Sequence, residues 1–502
     1  MKNPLWLDTV NFPDYQTLNK NIEVDICIVG AGITGITLAY RLRDSGLKIA
    51  LIDSDKVLHG STAYTTAKVT AQHHVIYHDL IKDYGEENAQ LYANAQKEAL
   101  NFIVQSGIDC DLEHLTSYVY TQQTKHIEKL EQEHAAAKKL GFDCELTTEL
   151  ELPFPIETAL AFHNQAQFNP LKYLMGLLKE IEACPTIDVY EHTTAVELNQ
   201  TDDKRHQIKM ANNQHITAKK VVQASHYPFY DGLSLLIAKM EARKSYLVAA
   251  KNASQKLNGA YLSYESPSRT MRQYKDFLIL GGEDHRTGVS KDTNQHYDNI
   301  RHFVQEHFNT SDIDYQWSTQ DYSTLDKIPF IGSINDNHDI YVATGYQKWG
   351  MTNGTFAALL LHDLLLDIEN PATDLFSPKR TNLAAQAKDF ITYNSRVVYE
   401  LIIGKLQAGE IAADLEGLKP NQAKTIYTSE GDYGVYKDED GNLHKLDITC
   451  PHMGCELKFN QAETTWDCPC HGSRFCHRGS VIAGPAHHGL QQDKNKIDPN
   501  IL

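Results

Sequence analysis

Two short stretches towards the C-terminal end, Cys450-Pro-His452-Met-Gly-Cys455 and Cys468-Pro-Cys470-His471-Gly-Ser473, place thiolate and imidazole ligands at close spacing. Their outer Cys and His positions read C-x-H, fifteen intervening residues, then C-x-x-H. Two thiolates and two neutral imidazoles in that order suit a [2Fe–2S] cluster in which one iron takes both sulfurs and the other both nitrogens. Imidazole is uncharged where thiolate is not, so such a cluster is less negative and easier to reduce. The same four residues also form a zinc set. Zinc ribbons, however, pair their ligands as CxxC and need no further cysteine pair such as Cys455 and Cys470. The chemistry indicated is electron transfer.

A second constellation lies at the other end. Residues 25–30 form a short, β-branched apolar run that reads as a buried parallel strand. It enters Gly30-Ala-Gly32-Ile-Thr-Gly35, and residues 36–45 follow with helical spacing, ended by Gly46. A second strand over 48–52 finishes at Asp53. The glycines allow a tight turn and close approach of backbone to a pyrophosphate, whose charge faces the helix N-terminus. Asp53 is spaced to accept from ribose hydroxyls. The fingerprint alone does not separate NAD from FAD. Its place at the start of the chain, with further nucleotide-binding signals far downstream, favours FAD.

The elements that must position these groups span a long chain. At 502 residues two or three domains are expected. Apolar content of 41% and charged content of 22% are those of a soluble globular protein. The balance of 47 Lys+Arg against 65 Asp+Glu gives −18, which disfavours a nucleic-acid partner. The first residues lack a basic segment followed by an apolar one, and no stretch approaches the roughly 18 apolar residues of a membrane span. A cytoplasmic protein without a membrane span is therefore expected. Cys27, Cys110, Cys144 and Cys184 are scattered and read as buried thiols.

CPHMGC and CPCHGS resemble the two cluster-binding loops of Rieske proteins. That resemblance implies Cys450 and Cys468 on one iron and His452 and His471 on the other. It also implies a Cys455–Cys470 disulfide tying the loops together, and a third, proline-containing loop at Gly484-Pro485-Ala486. High-potential members usually carry a Tyr two residues after the serine of the second loop; this chain has Phe475 after Ser473. A hydrogen bond to cluster sulfur stabilises the reduced, more negative form, so its loss lowers the potential. Phe475→Tyr is expected to raise the midpoint in a redox titration; an unchanged midpoint would sink this tuning argument.

The remaining signals resemble the D-amino-acid oxidase, or glycine-oxidase-like, superfamily of flavoproteins over roughly residues 1–375. Val196, in Thr194-Ala195-Val196, and Ala224, in the stretch 221–225, resemble segments closing over the adenine nucleotide. The stretch 340–354, with Gly345, Gly350, Met351 and Thr352, resembles the turn and helix whose amides face the flavin. Trp6 resembles an N-terminal arm residue of some members. Where many members carry an S-G-R-N-G-G-like turn, this chain has Gly60-Ser-Thr-Ala-Tyr-Thr-Thr-Ala-Lys68. By analogy Thr65, Thr66, Ala67 and Lys68 lie near the flavin ring. Lys68 could meet the flavin or a substrate anion, or simply be a structural lysine.

Between these motifs, helices are expected over 86–104 and 124–140, the latter on the surface. Strands over 246–250, 259–263 and 277–280 would belong to a substrate sheet. Arg272 or Arg269 could clamp a substrate carboxylate, and His73, His74 and His285 are candidates for proton handling. Helices over 382–393 and 395–406 would form a connector. Strands near 425–428, 433–437 and 442–447, with an Asp440-Gly441 turn, would open an all-β domain.

The fold class expected is α/β, a Rossmann-like FAD-binding domain with an α+β substrate domain, plus a C-terminal all-β Rieske domain. The boundaries expected are 1–375, a connector over 376–411, and 412–502. Both resemblances together imply an FAD- and [2Fe–2S]-dependent oxidoreductase. It would oxidise a small amine, amino acid or hydroxy acid and pass electrons through the cluster to an external protein or quinone. Reverse flow, from a donor through the cluster to the flavin, and a non-catalytic carrier or sensor remain alternatives.

Overall fold

The computed structural model describes residues 3–232, 234–336, 339–380, 383–406, 417–428 and 431–491. Strand Ile22–Val29 pairs in parallel with Ile49–Ile52 on one side and His215–Gln223 on the other. Ile187–Tyr190 and Ile340–Thr344 extend the parallel set at its two ends. Its apolar residues are buried on both faces, as a parallel sheet requires: Ile26, Cys27, Ile28, Leu51, Val221 and Val222 are all 1% exposed or less. Helix Ile33–Leu42 starts three residues earlier than its spacing predicts, because the turn glycines lead directly into it. Every parallel strand ends at the same edge. Gly30, Asp53, Ala224 and Gly345 therefore gather where ligands bind in open α/β sheets.

A second sheet of nine strands joins Met240–Ala250, Phe277–Arg286 and Ile313–Thr324 side by side. These strands run longer than the apolar pattern shows, since their polar ends continue the sheet pairing. Helix Ile127–Lys139 is not wholly a surface helix. Its Glu133 is fully buried and accepts from the amides of Ile76, Tyr77 and His78, capping helix Tyr77–Val104. The two connector helices are one, Leu383–Leu406. Asn394 does not break it, because its side-chain amide donates to Phe390 O and to Ala238 O and leaves the helical ladder intact. The expected start of the last domain, at 412, lies outside the described residues.

The C-terminal part is all β. Gln422–Thr428, Gly431–Lys437 and Leu443–Asp447 form one sheet, and Lys458–Asn460, Thr465–Asp467, Arg474–Cys476 and Val481–Ala483 form another. Gly441 turns the hairpin between Gly431–Lys437 and Leu443–Asp447 with φ +85°. No helix among the described residues is long and apolar enough to cross a membrane.

Candidate functional site: a flavin cradle and a cluster loop pair

The two cysteine-histidine stretches fold as paired tight turns. Gly454 N donates to Cys450 O and Gly472 N to Cys468 O, with φ +76° and +82° at the two glycines. Cys455 and Cys470 form a disulfide between the turns, their Cα atoms 6.5 Å apart. The Cys468 sulfur lies within 4.8 Å of both disulfide sulfurs. That trio is not a ligand set, because the disulfide takes two of its sulfurs. The Cys450 and Cys468 thiols hydrogen-bond each other, which lowers the pKa of the first and raises that of the second. Opposite them, the rings of His452 and His471 stand 5.3 Å apart and edge to face. Both Nδ1 atoms are buried without a partner. Two adjacent thiols facing two orphaned imidazole nitrogens are what a mixed-ligand [2Fe–2S] cluster needs, so the residues fit the group.

The third loop closes over this site through Ala486 N, which donates to Ser473 Oγ at 3.0 Å. The same hydroxyl bonds the Cys450 thiol. Phe475 is fully buried beside Trp466 and adds no donor. The two histidines differ in setting: His471 is 6% exposed and its backbone carbonyl lies 3.4 Å from Tyr322 Oη of the flavoprotein part, whereas His452 adjoins the exposed Met453.

At the sheet edge, Gly30 has φ +108°, and Gly32 starts a helix that no residue at its N-cap caps by side chain. Asp53 accepts from Ala31 N at 2.8 Å. Burial pushes its carboxyl up to about 6. Helix Gly350–Leu365 likewise begins with no side-chain cap, and a Cβ at Gly350 would point into open space. Met351 and Thr352 form its first turn. Val196 lies in the short strand Ala195–Gln200, partly exposed. Asp53, Lys68, His226, Asp321 and Tyr346 all sit deep in the molecule, yet each keeps accessible surface. Groups so enclosed that still keep accessible surface imply an internal hollow between the two sheets, where Tyr346 meets Thr34 and His226 meets Ser61. Two helix N-termini at this hollow, the first with Ile33 N donating to Thr62 Oγ1 and the second without a side-chain cap, fit a dinucleotide with a planar head.

Thr66 and Ala67 are held at this hollow by Arg272, whose Nη1 donates to both their carbonyls at 2.9 and 2.6 Å. Trp6 donates to Thr65 O at 2.8 Å and packs beneath the guanidinium. Arg272 is 1% exposed, so it is a positioning residue for this loop and not a substrate clamp. Arg269 is paired with Glu283. His285 also leaves the site. Its Nε2 meets Tyr246 Oη at 3.1 Å, its Nδ1 meets Arg286 O, and its ring stacks on His296 on the far side of the sheet. His73 is enclosed by Tyr92 and Thr352 and stacks on Trp349. Burial pushes its imidazole down to about 3, so it stays neutral.

Lys68 does face the hollow. It donates to Thr270 Oγ1 at 2.7 Å and lies 5.6 Å from the Trp349 ring centre. Burial, helped by Arg272, pushes its amine down to about 7. His74 stacks on Tyr264 and lines a cavity of about 530 Å³ with Arg243, Ser323, Lys348 and Trp349. Sequence reasoning missed Asp321, Tyr322, Arg243 and Lys244. They sit in polar strand ends that carry no motif, and only strand register brings them together.

The strand Ile313–Thr324 is a shared wall. Trp317 on one face donates to Tyr64 O in the flavin loop. Tyr322 on the other has Oη donating to Gly484 O at 2.8 Å, 3.4 Å from His471 O. Its own carbonyl accepts from Gln347 N in the flavin turn. Gln320 donates to Gly472 O at 2.8 Å. Lys244, fully buried, pairs with Asp467, which also holds Arg474.

The model of the family of FAD dependent oxidoreductases (DAO) matches residues 25–364, and that of the Rieske [2Fe-2S] domain matches residues 411–493. The chain is 39% identical to "Putative Rieske 2Fe-2S iron-sulfur protein YhfW" of Bacillus subtilis (strain 168), covering 97% of this chain and 96% of that one. It is 22% identical to gamma-glutamylputrescine oxidoreductase of Escherichia coli (strain K12), over 70% and 86% of the two chains. Among solved structures, glycine oxidase from Geobacillus kaustophilus superposes with a TM-score of 0.58 at 18% identity, covering 72% of this chain and 99% of that one. The chain belongs to the DAO family of FAD-dependent oxidoreductases and carries a Rieske domain, which makes it an FAD- and [2Fe–2S]-dependent oxidoreductase.

Proposed function

We propose that this enzyme is a dehydrogenase that oxidises a small amine, amino acid or hydroxy acid and delivers electrons through its Rieske cluster to an external protein or quinone acceptor. The observation that carries the reading is the shared strand. Tyr322, 2% exposed, is bonded at its carbonyl to the flavin turn and at its hydroxyl to a cluster loop. When bound, FAD supplies two-electron acceptance and the cluster one-electron transfer, and the protein supplies position and electrostatics. Gly30, Gly32, Gly35, Asp53, Thr66, Ala67, Val196, Ala224, Gly345, Gly350, Met351 and Thr352 would hold FAD. Cys450, His452, Cys468 and His471 would hold the cluster.

Lys68, with its amine pushed towards neutrality, is placed to accept a proton at the substrate. Trp349 and His74 form part of the cavity wall. The named activities of gamma-glutamylputrescine oxidoreductase and glycine oxidase support a nitrogen-bearing substrate. Anaerobic mixing with candidate substrates tests the reading: the flavin band should bleach first and the cluster signal change after it. Reduction only by a ferredoxin-type donor, with no substrate bleaching the flavin, would replace this reading with reverse flow.

A further inference from the structure

Asp321 stands out among the groups lining the flavin hollow. It lies between Trp317 and Ser323 on the same face of Ile313–Thr324, where Trp317 touches the flavin loop and Ser323 lines the cavity of about 530 Å³. Its carboxylate has no hydrogen-bond or ion-pair partner among the described residues, although Lys348 acts on it and Arg243 is near. Directly opposite on the neighbouring strand is Arg243. That guanidinium is already spent, Nε and Nη2 on Asp284 and Nη1 on Glu241 at 2.7 Å. Lys348 is spent on the same Asp284, at 2.5 Å. Arg286 goes to Glu241 at 3.2 Å. Lys68, the remaining amine at the hollow, is held near neutrality by burial.

The cations named here are therefore neutralised or suppressed, and the Asp321 carboxyl is left over. Burial, with Asp284 adding to it and Lys348 opposing it, pushes Asp321 up to about 7. An ionised carboxylate in such a place is costly until a proton or a cation joins it. Neither of the arginines beside this strand face is available for a substrate carboxylate, since Arg272 holds carbonyls and Arg243 holds two acids, and Arg396, which also lines the cavity, is exposed to solvent.

We propose that Asp321 is the substrate-binding residue of the flavin site and that it pairs with an ammonium group, so that the enzyme selects cationic amines over carboxylates. This rests on the oxidation reading above and narrows it: hydroxy acids are excluded, and amino acids are accepted through their nitrogen end. An ammonium donating to Asp321 forms a charge-assisted bond in a water-poor site. It would lie between the strand and the Gln347–Trp349 turn, beside Lys68, the proton acceptor.

The test uses full-length protein loaded with FAD and cluster at pH 8, where Asp321 is largely ionised and a simple amine is protonated. Perturbation of the flavin absorption band is titrated with n-butylamine and with propionate, ligands of similar size and opposite charge. n-Butylamine is expected to bind at least tenfold more tightly than propionate. Asp321→Asn, nearly isosteric, should weaken n-butylamine at least tenfold while leaving FAD stoichiometry and the cluster spectrum unchanged; Asp321→Glu should recover part of the loss. Equal or preferred binding of propionate overturns the proposal. So does unaltered amine binding in Asp321→Asn, or a wild-type flavin that n-butylamine does not perturb. If amines bind through Asp321 but none reduces the flavin, the binding site stands and the oxidation reading fails. If hydroxy acids reduce the flavin, the oxidation reading stands and the amine site fails.

Discussion

Gly30→Ala should yield protein that retains the cluster spectrum but has lost most of its FAD. A Cβ at Gly30 would lie 2.5 Å from Ala224 O, 2.7 Å from Ala224 C and 2.9 Å from Ser225 Cα. These are backbone atoms of the neighbouring strand end, tied in place by Ala224 N donating to Val29 O, so no rotamer can relieve the overlap. The φ of +108° adds strain for any L side chain. Forced backbone shifts in a packed site cost about 1–3 kcal/mol, and the conformation costs roughly a further 1–2 kcal/mol. Together they should weaken FAD by at least tenfold, read as flavin absorbance per protein after gel filtration. Gly60→Ala is the control, because a Cβ there meets nothing within 4 Å and flavin content should hold.

Asp467→Asn should cost about 3–5 kcal/mol, the range for stranding a buried charge. Lys244 is fully buried, and Asp467 is its one ion-pair partner among the described residues, at 3.4 Å across the domain boundary. Burial pushes Asp467 up, yet Lys244 and Arg474 beside it, with hydrogen bonds from Asn460 and Thr465, hold its carboxyl well below the usual range. A depressed folded pKa means that this contribution is full above the unfolded value of about 4 and fades as pH falls below it. The wild-type and variant denaturation midpoints should therefore converge in acid. Pairing the change with Lys244→Met should restore much of the loss at neutral pH, because no unpaired ammonium remains. A variant as stable as wild type at pH 7 would show that the interface does not depend on this pair.

Much of the candidate chemistry was legible in the sequence because it is local. Cys450, His452, Cys468 and His471 lie on two turns whose geometry is set within a few residues, so spacing alone indicates the ligand set. The Gly30–Gly35 turn is local too, and its helix and strands follow from apolar periodicity. Arg272 and His285 are different. Their residue types suit substrate and proton chemistry, but whether a strand residue faces flavin or cluster is decided by a two-residue alternation anchored elsewhere.

The sequence by itself determined two redox cofactors and the two kinds of domain that hold them. Only the tertiary structure decided how they are joined. Met240–Ala250 and Ile313–Thr324 pair in a register that puts Arg243 opposite Asp321 and Lys244 opposite Gln320. Neighbouring residues thus divide between the flavin hollow and the cluster loops: Asp321 to one, Tyr322 to the other. Lys244 and Asp467 meet across 223 positions of chain. Pairings of that separation leave no periodic trace in sequence, because they are fixed by the packing of one folded sheet against another domain rather than by local backbone preference.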